Sequence, residues 1–179
     1  MKEAISLIPY PLSLESKDGF FKAPESFEKL IAQVEFITQD NFNDFSLADN
    51  EAYALEISTA GIKVYPSAKE GAFYAKQTIK QLSLTYKTEL PCLIICDKPE
   101  YKWRGMMLDT CRSFYSVEFI KKLLDALAFH KFNHFHWHLT DDQGWRINVP
   151  EYPLLVEKGS IRQAHTMPAS VEGFYDSPD

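Results

Sequence analysis

No segment of this 179-residue chain stays apolar for the roughly 18 residues a membrane-spanning helix requires, so no such span is expected. Basic residues are not in excess either: 19 Lys and Arg face 25 Asp and Glu, a formal charge of −6. Nucleic-acid binding needs clustered Lys and Arg, and no basic stripe occurs, so a polyanionic partner is excluded. Cysteine is scarce and odd in number. Cys92 and Cys96 share a strand face in "PCLIIC" but stand roughly 13 Å apart at strand rise, beyond the about 7 Å that a disulfide tolerates between Cα atoms. Their spacing fits no common zinc signature, so these two and Cys111 are expected as buried thiols. "MKEAISLIPYP" makes a poor secretory leader, because its apolar run is short and broken by prolines. The protein is then cytoplasmic, or a leader has been removed ahead of Met1. Internal repeats and low-complexity tracts are also missing.

What is present is an ordinary globular balance, 45 % hydrophobic and 25 % charged, enriched in aromatics: 13 Phe, 9 Tyr and 3 Trp. The first half alternates short strands with two helices. "SLIPY" opens it, and "SLESKDGFFKA" reads as two strands around an Asp18-Gly19 turn. "SFEKLIAQVEFI" sets Phe27, Leu30, Ile31 and Val34 on one helical stripe. "AYALEIS" and "IKVYP" form a hairpin about Gly61. "EGAFYAKQTIKQL" places Ala72, Ala75, Ile79 and Leu82 on one helical face, and "CLIIC" closes an α+β layer near "DKPE".

The second half changes grammar. "WRGMMLD" is a nearly continuous apolar strand of the kind buried on both faces. Ser116 suits the N-cap of a helix over "VEFIKKLLDALAFHK", with Glu118 in its first turn and His130 and Lys131 in its last. Phe119, Ile120, Leu123, Leu124 and Leu127 make its expected buried stripe. "HFHWHL" is the next strand, which completes a β–α–β unit and implies a parallel pair. Both strands end in acid, Asp109 in the first and Asp141-Asp142 after the second. α/β enzymes build sites at that carboxyl edge.

The densest stretch is "FNHFHWHLTDDQGWR". On a strand, His134, His136 and His138 share one face, since side chains alternate with period 2. A same-face His136-x-His138 pair could open a metal site, as in metal-dependent amidohydrolases; imidazole is the commonest metal ligand. The plainer reading packs the histidines, with His134 structural. Trp145 could offer a flat platform to a ligand, although aromatics more often pack. Trp103, Trp137 and the phenylalanines read as core. About 80 residues follow position 99, whereas a (β/α)8 barrel needs about 250, so the second half could supply only the opening units of one. The tail "EGFYDSPD" offers no closing strand or helix. A piece of a longer protein is therefore expected, with association through exposed barrel edges or poor order beyond about residue 150.

The stretch "WRGMMLDTCRSFYSVEFIKKLLDALAFHKFNHFHWHLTDDQGWRINVPEYPLL" resembles glycoside hydrolase family 20, the β-N-acetylhexosaminidases. It carries an "RG-x-x-LD-x-x-R" strand end, a "K-x-N" before the second strand and an "HWHL-x-DDQ-x-WR" turn. Upstream, "EGAFYAKQTIKQL" and "DKPEYKWRG" resemble the accessory domain that precedes the family's barrel. The resemblance implies an α/β fold. An α+β, zincin-like accessory domain would span residues 1–98, followed over 99–179 by the first β/α units of an incomplete (β/α)8 TIM barrel. No "HExxH" occurs, so the zincin label implies no zinc chemistry.

By the same resemblance the activity is exo-hydrolysis of terminal β-linked N-acetylhexosamine from glycans, without metal or cofactor. The substrate's acetamido oxygen attacks the anomeric carbon while an Asp-Glu pair assists, an exception to the two-carboxylate scheme. No Asp-Glu dipeptide occurs here, and the 179-residue chain alone is expected to be inactive. Arg112 would clamp hydroxyls of the terminal sugar, or merely hold Asp109 or Asp141. Asp141 would accept from a sugar hydroxyl or orient a neighbour; His138, Asp142 and Trp145 are lesser candidates. Export to a periplasm or medium would fit the family. The two competing readings are a metal-dependent amidohydrolase using His136 and His138, and a non-catalytic carbohydrate-binding module.

Overall fold

The computed structural model describes residues 5–161 and 172–176. The chain folds as two compact units: residues 1–102 with 128–131, and residues 103–127 with 132–179.

The first unit is a five-stranded sheet. β1 (Ser13–Lys22), β7 (Glu89–Asp97), β5 (Tyr53–Ser58) and β6 (Gly61–Pro66) run antiparallel to their neighbours, and β2 (Val34–Phe36) lies parallel to β6 at the far edge. Alternation along the strands sorts the two faces. Leu55 and Ile57 of β5, Ile62 and Val64 of β6, and Leu93 and Ile95 of β7 join one apolar cluster with Leu30 of α1 (Phe27–Ile31). Tyr74, Ala75, Ile79 and Leu82 of α2 (Lys69–Tyr86) complete it. On the other face Ala54, Tyr65, Ile94 and Cys96 pack with Phe42 and Phe45 of the small ribbon β3 (Asn41–Phe42) and β4 (Phe45–Ser46).

Three expectations for this unit change. Asp18-Gly19 is no hairpin turn: β1 is one strand, and its register on β7 jumps between Ser16↔Leu93 and Phe20↔Pro91. Both arms pair with the same neighbour, so the extra residues are absorbed as a bulge, which Gly19 permits with φ +104°. The helix begun at Phe27, capped by Ser26 accepting from the Lys29 amide, stops at Ile31. Val34 is buried, but as the first residue of β2, where its backbone extends the sheet edge. "SLIPY" contributes no strand, and Cys96 is half-buried rather than buried.

Lys131 does not complement a helix dipole in the way its place in the sequence suggests. It lies past the helix end with φ +62° and is buried in the first unit. Its ammonium sits 2.7 Å from Asp97 Oδ2 and 2.8 Å from the Tyr53 hydroxyl, which in turn meets Thr78 Oγ1 at 2.7 Å. Burial, and then the Asp97 charge, pushes the Tyr53 phenol well above its ordinary pKa. Such a pair offsets its desolvation only because every member is hydrogen-bonded.

In the second unit, β8 (Gly105–Asp109), α3 (Val117–Phe129) and β9 (His134–His138) form the expected β–α–β unit, with β8 and β9 parallel from Gly105↔His134 to Asp109↔His138. Ser116 Oγ accepts from the Phe119 amide, so the cap is as read. Burial is not. Met107 is 51 % exposed, so β8 is not buried on both faces, and of the proposed α3 stripe only Ile120 is buried, while Phe119 and Leu124 are exposed. Trp103 is 69 % exposed and stacks on His134 at 3.7 Å, and Phe20, Phe36, Phe73, Phe119 and Phe174 are exposed, so these aromatics are not core. A short ribbon, β10 (Thr140–Asp141) with β11 (Gly144–Trp145), and the helix α4 (Leu154–Gly159) follow. The tail does find a partner: Tyr175 is buried and bridges Ile147 in parallel. The poor order expected beyond residue 150 falls in part on residues 162–171 and 177–179, outside those described. No helix among the described residues is long and apolar enough to cross a membrane.

Candidate functional site

The register of β8 on β9 pairs Asp109 with His138, so both strands deliver their last residues at one edge. Immediately beyond, the Thr110 and Cys111 amides both donate to the His138 carbonyl, at 3.0 and 3.1 Å, which turns the chain and presents Arg112. The other wall comes from the β10–β11 ribbon. Its turn is tight: a side chain at Gly144 would begin 2.7 Å from the Cys111 carbonyl oxygen, and Cys111 Sγ donates to the Gly144 carbonyl at 3.1 Å. Glycine is required at this position because the two turns touch.

Arg112 spans the gap between these turns. Its Nη1 meets Asp109 Oδ2 at 2.6 Å, Nη2 meets Asp141 Oδ2 at 3.2 Å, and Nε donates to Gln143 Oε1 at 2.9 Å. Its backbone amide also donates to Asp109 Oδ1 at 2.9 Å. His138 Nε2 lies 3.1 Å from the Thr140 carbonyl and 3.2 Å from Asp141 Oδ2, two acceptors, so that nitrogen is placed to donate. Nδ1 stands 3.8 Å from Asp109 Oδ1.

Electrostatically the cluster is a cation shared by two carboxylates. Burial alone would raise Asp109, but the Arg112 amide and guanidinium outweigh it and hold the carboxyl below the ordinary range. Asp141 is held low by hydrogen bonds from Asp142, the backbone amide first, and then by the Arg112 charge. Arg112 is raised in return, chiefly by its hydrogen bond to Asp109. The arrangement can offer a guanidinium fork and two anionic acceptors, a combination suited to adjacent hydroxyls, which both donate and accept.

The candidate residues therefore divide. Arg112, Asp141 and His138 converge, with Asp109 and Gln143 as partners that the sequence had not singled out as ligand contacts. Asp142 is exposed and contributes its amide to Asp141. The Trp145 indole N–H is engaged by the Ile147 carbonyl at 2.7 Å, and its Cβ lies 3.0 Å from where a Gly159 side chain would begin, so it packs beside α4. His136 lies 6.2 Å, ring to ring, from His138. Among the described residues no group of three or more His, Cys, Asp or Glu is placed to hold a metal. Arg146, the last residue of the "HWHL-x-DDQ-x-WR" turn, is fully buried, and no local pattern announces that.

Residues 101–179 match the family model described as glycosyl hydrolase family 20, catalytic domain, and residues 32–98 match that of domain 2 of the same family. The chain belongs to glycoside hydrolase family 20. Among curated relatives, a beta-hexosaminidase of Porphyromonas gingivalis is 33 % identical over 89 % of this chain and 26 % of its own length. One from Akkermansia muciniphila is 42 % identical over 64 % of this chain and 24 % of its own. A solved family 20 exo-beta-N-acetylglucosaminidase from Vibrio harveyi, in complex with N-acetylglucosamine, superposes with a TM-score of 0.81 at 30 % identity, covering 95 % of this chain and 32 % of that one. The chain thus spans about a quarter to a third of the length of these relatives.

Proposed function

We propose that this chain supplies one wall of the terminal-sugar pocket of an exo-acting β-N-acetylhexosaminidase. Residues 1–98 form the accessory domain, zincin-like in fold, and residues 99–179 open the (β/α)8 catalytic barrel. The observation that carries the reading is the convergence of Arg112 on Asp141 and Asp109 at the carboxyl edge of two parallel strands. Sites in such architectures form at that edge. Arg112 donates to hydroxyls of a non-reducing GlcNAc or GalNAc unit and Asp141 accepts from one, while His138 fixes the Asp141 carboxylate. The relative from Vibrio harveyi, described with N-acetylglucosamine bound, supports this ligand class.

Bond cleavage requires a proton donor and an acetamido-orienting carboxylate. The Asp-Glu pair expected for that work is not in the sequence, so these residues hold the sugar and do not break its bond. Met107 on β8, with Phe119 and Leu124 on α3, leaves apolar surface exposed, which supports association through the open barrel edges.

Titration of the chain with N-acetylglucosamine, followed by NMR, tests the reading. Saturable shifts at Arg112, Asp141 and Gln143 are expected, with affinity falling at least about tenfold in Arg112→Ala, since a charged hydrogen-bonding partner is lost. The chain should release no nitrophenol from a nitrophenyl N-acetylglucosaminide. Equal binding by the variant, or hydrolysis by the chain, contradicts the proposal.

A further inference from the structure

A guanidinium with no solvent exposure has to recover its lost hydration from the protein. Arg146 does so on main-chain carbonyls. Its Nε donates to the Thr110 and Cys111 carbonyls, both at 3.1 Å, and Nη2 donates to Cys111 again at 3.0 Å. Nη1 reaches the carbonyls of Ser160 and, at 3.0 Å, Gly173. Its own backbone is held as well, the amide by Leu139 and the carbonyl by Tyr175. The Phe114 ring lies 5.9 Å from the guanidinium carbon.

Thr110 and Cys111 are thereby fixed on both sides. Their amides bind the end of β9 and their carbonyls bind Arg146. They are the two residues between Asp109 and Arg112, so their peptide planes decide where the Arg112 side chain starts. A planar fork can address consecutive carbonyls and two distant ones together, which the point charge of a lysine cannot.

We propose that Arg146 is the positioning residue of this site, fixing the turn after β8 so that Arg112 is delivered between Asp109 and Asp141. Only the sugar-affinity arm of the test rests on the function proposed above. The hydrogen bonds that Arg146 makes to Thr110, Cys111, Ser160 and Gly173 all go to main-chain carbonyls, so it acts on Arg112 through the backbone of its neighbours.

The experiment compares Arg146→Lys with the unmodified 179-residue chain, reading water exchange at the Arg112 Nε–H by ¹⁵N NMR without any sugar. That proton is bonded to Gln143. In the variant its exchange should accelerate at least about tenfold, the sign of a local opening, while amides of β9 and α4 keep their protection. N-acetylglucosamine affinity should fall about tenfold or more, because small misplacements of a positioning group are costly. Should Arg146→Lys fail to fold, Phe114→Leu removes the ring beside the guanidinium, which also packs on Tyr175, leaves every Arg146 donor in place, and should produce a smaller change of the same sign. Unchanged Arg112 exchange in the folded variant, or acceleration spread evenly over the unit, overturns the proposal. Accelerated Arg112 exchange with no sugar binding by either protein supports the positioning role and overturns the sugar reading instead.

Discussion

The two units bury different chemistry. In residues 1–102 with 128–131, the fully buried side chains are mostly aliphatic: Leu30, Leu55, Val64, Ile79, Leu82, Leu90, Leu93 and Ile95 close the helix-covered face of the sheet. The buried cation there, Lys131, has a carboxylate partner. Among the described residues of the second unit the largest fully buried side chain is Arg146, and several large apolar side chains, Met107, Phe119 and Leu124 among them, stay exposed. The first unit is held by area removed from water. The second is held around its site by a cation that gathers carbonyls from loops far apart in sequence. Non-directional burial tolerates small shifts, whereas a hydrogen-bonded fork specifies geometry.

The three tryptophans, Trp103, Trp137 and Trp145, all lie in the second unit, so their fluorescence reports it separately from the far-ultraviolet signal of the whole. The largest expected effect is from Arg146→Ala. The carbonyls of Thr110, Cys111, Ser160 and Gly173 lose their donor, at about 1–3 kcal/mol for each one left unsatisfied, and the Trp-monitored urea transition should vanish while sheet ellipticity persists. A retained transition would break the comparison. Ile79→Ala should do the converse, costing about 2–5 kcal/mol in the first unit and leaving the Trp transition in place.

Acid should act on the second unit through Asp109 and Asp141. Both folded-state pKa values lie below the ordinary carboxyl value, so their contribution is present above about pH 4 and lost as pH falls through the lowered values. The Trp-monitored midpoint should decline over that range, and Arg112→Ala should flatten the decline. The smallest effect belongs to Leu124→Ala, which, on an exposed helix face, should change stability by no more than about 0.5 kcal/mol. A larger loss would mean that this face is packed.

Periodicity made the helices and most strands readable, because α2, β5, β6 and β7 each present one apolar face to a real core. It misled where the same pattern met a different partner. Asp18-Gly19 has the chemistry of a turn but sits in a bulge, since β7 was long enough to pair with both arms. The α3 stripe is genuine, yet among the described residues little covers it. At the site, Arg112 and Asp141 were legible from strand ends and from motif. Their meeting at 3.2 Å depends on the turn after β8, which no local pattern encodes. Arg146 and Lys131 were missed for a common reason: a buried cation is identified by its acceptors, and those come from remote carbonyls or from Asp97.

The central claim is tested most directly by a crystal of this chain soaked with N-acetylglucosamine. Ring hydroxyls should lie at hydrogen-bond distance, about 2.7–3.2 Å, from the Arg112 guanidinium and the Asp141 carboxylate, with Arg146 unmoved beneath them. Sugar bound elsewhere, with those two side chains keeping only their protein partners, would contradict it.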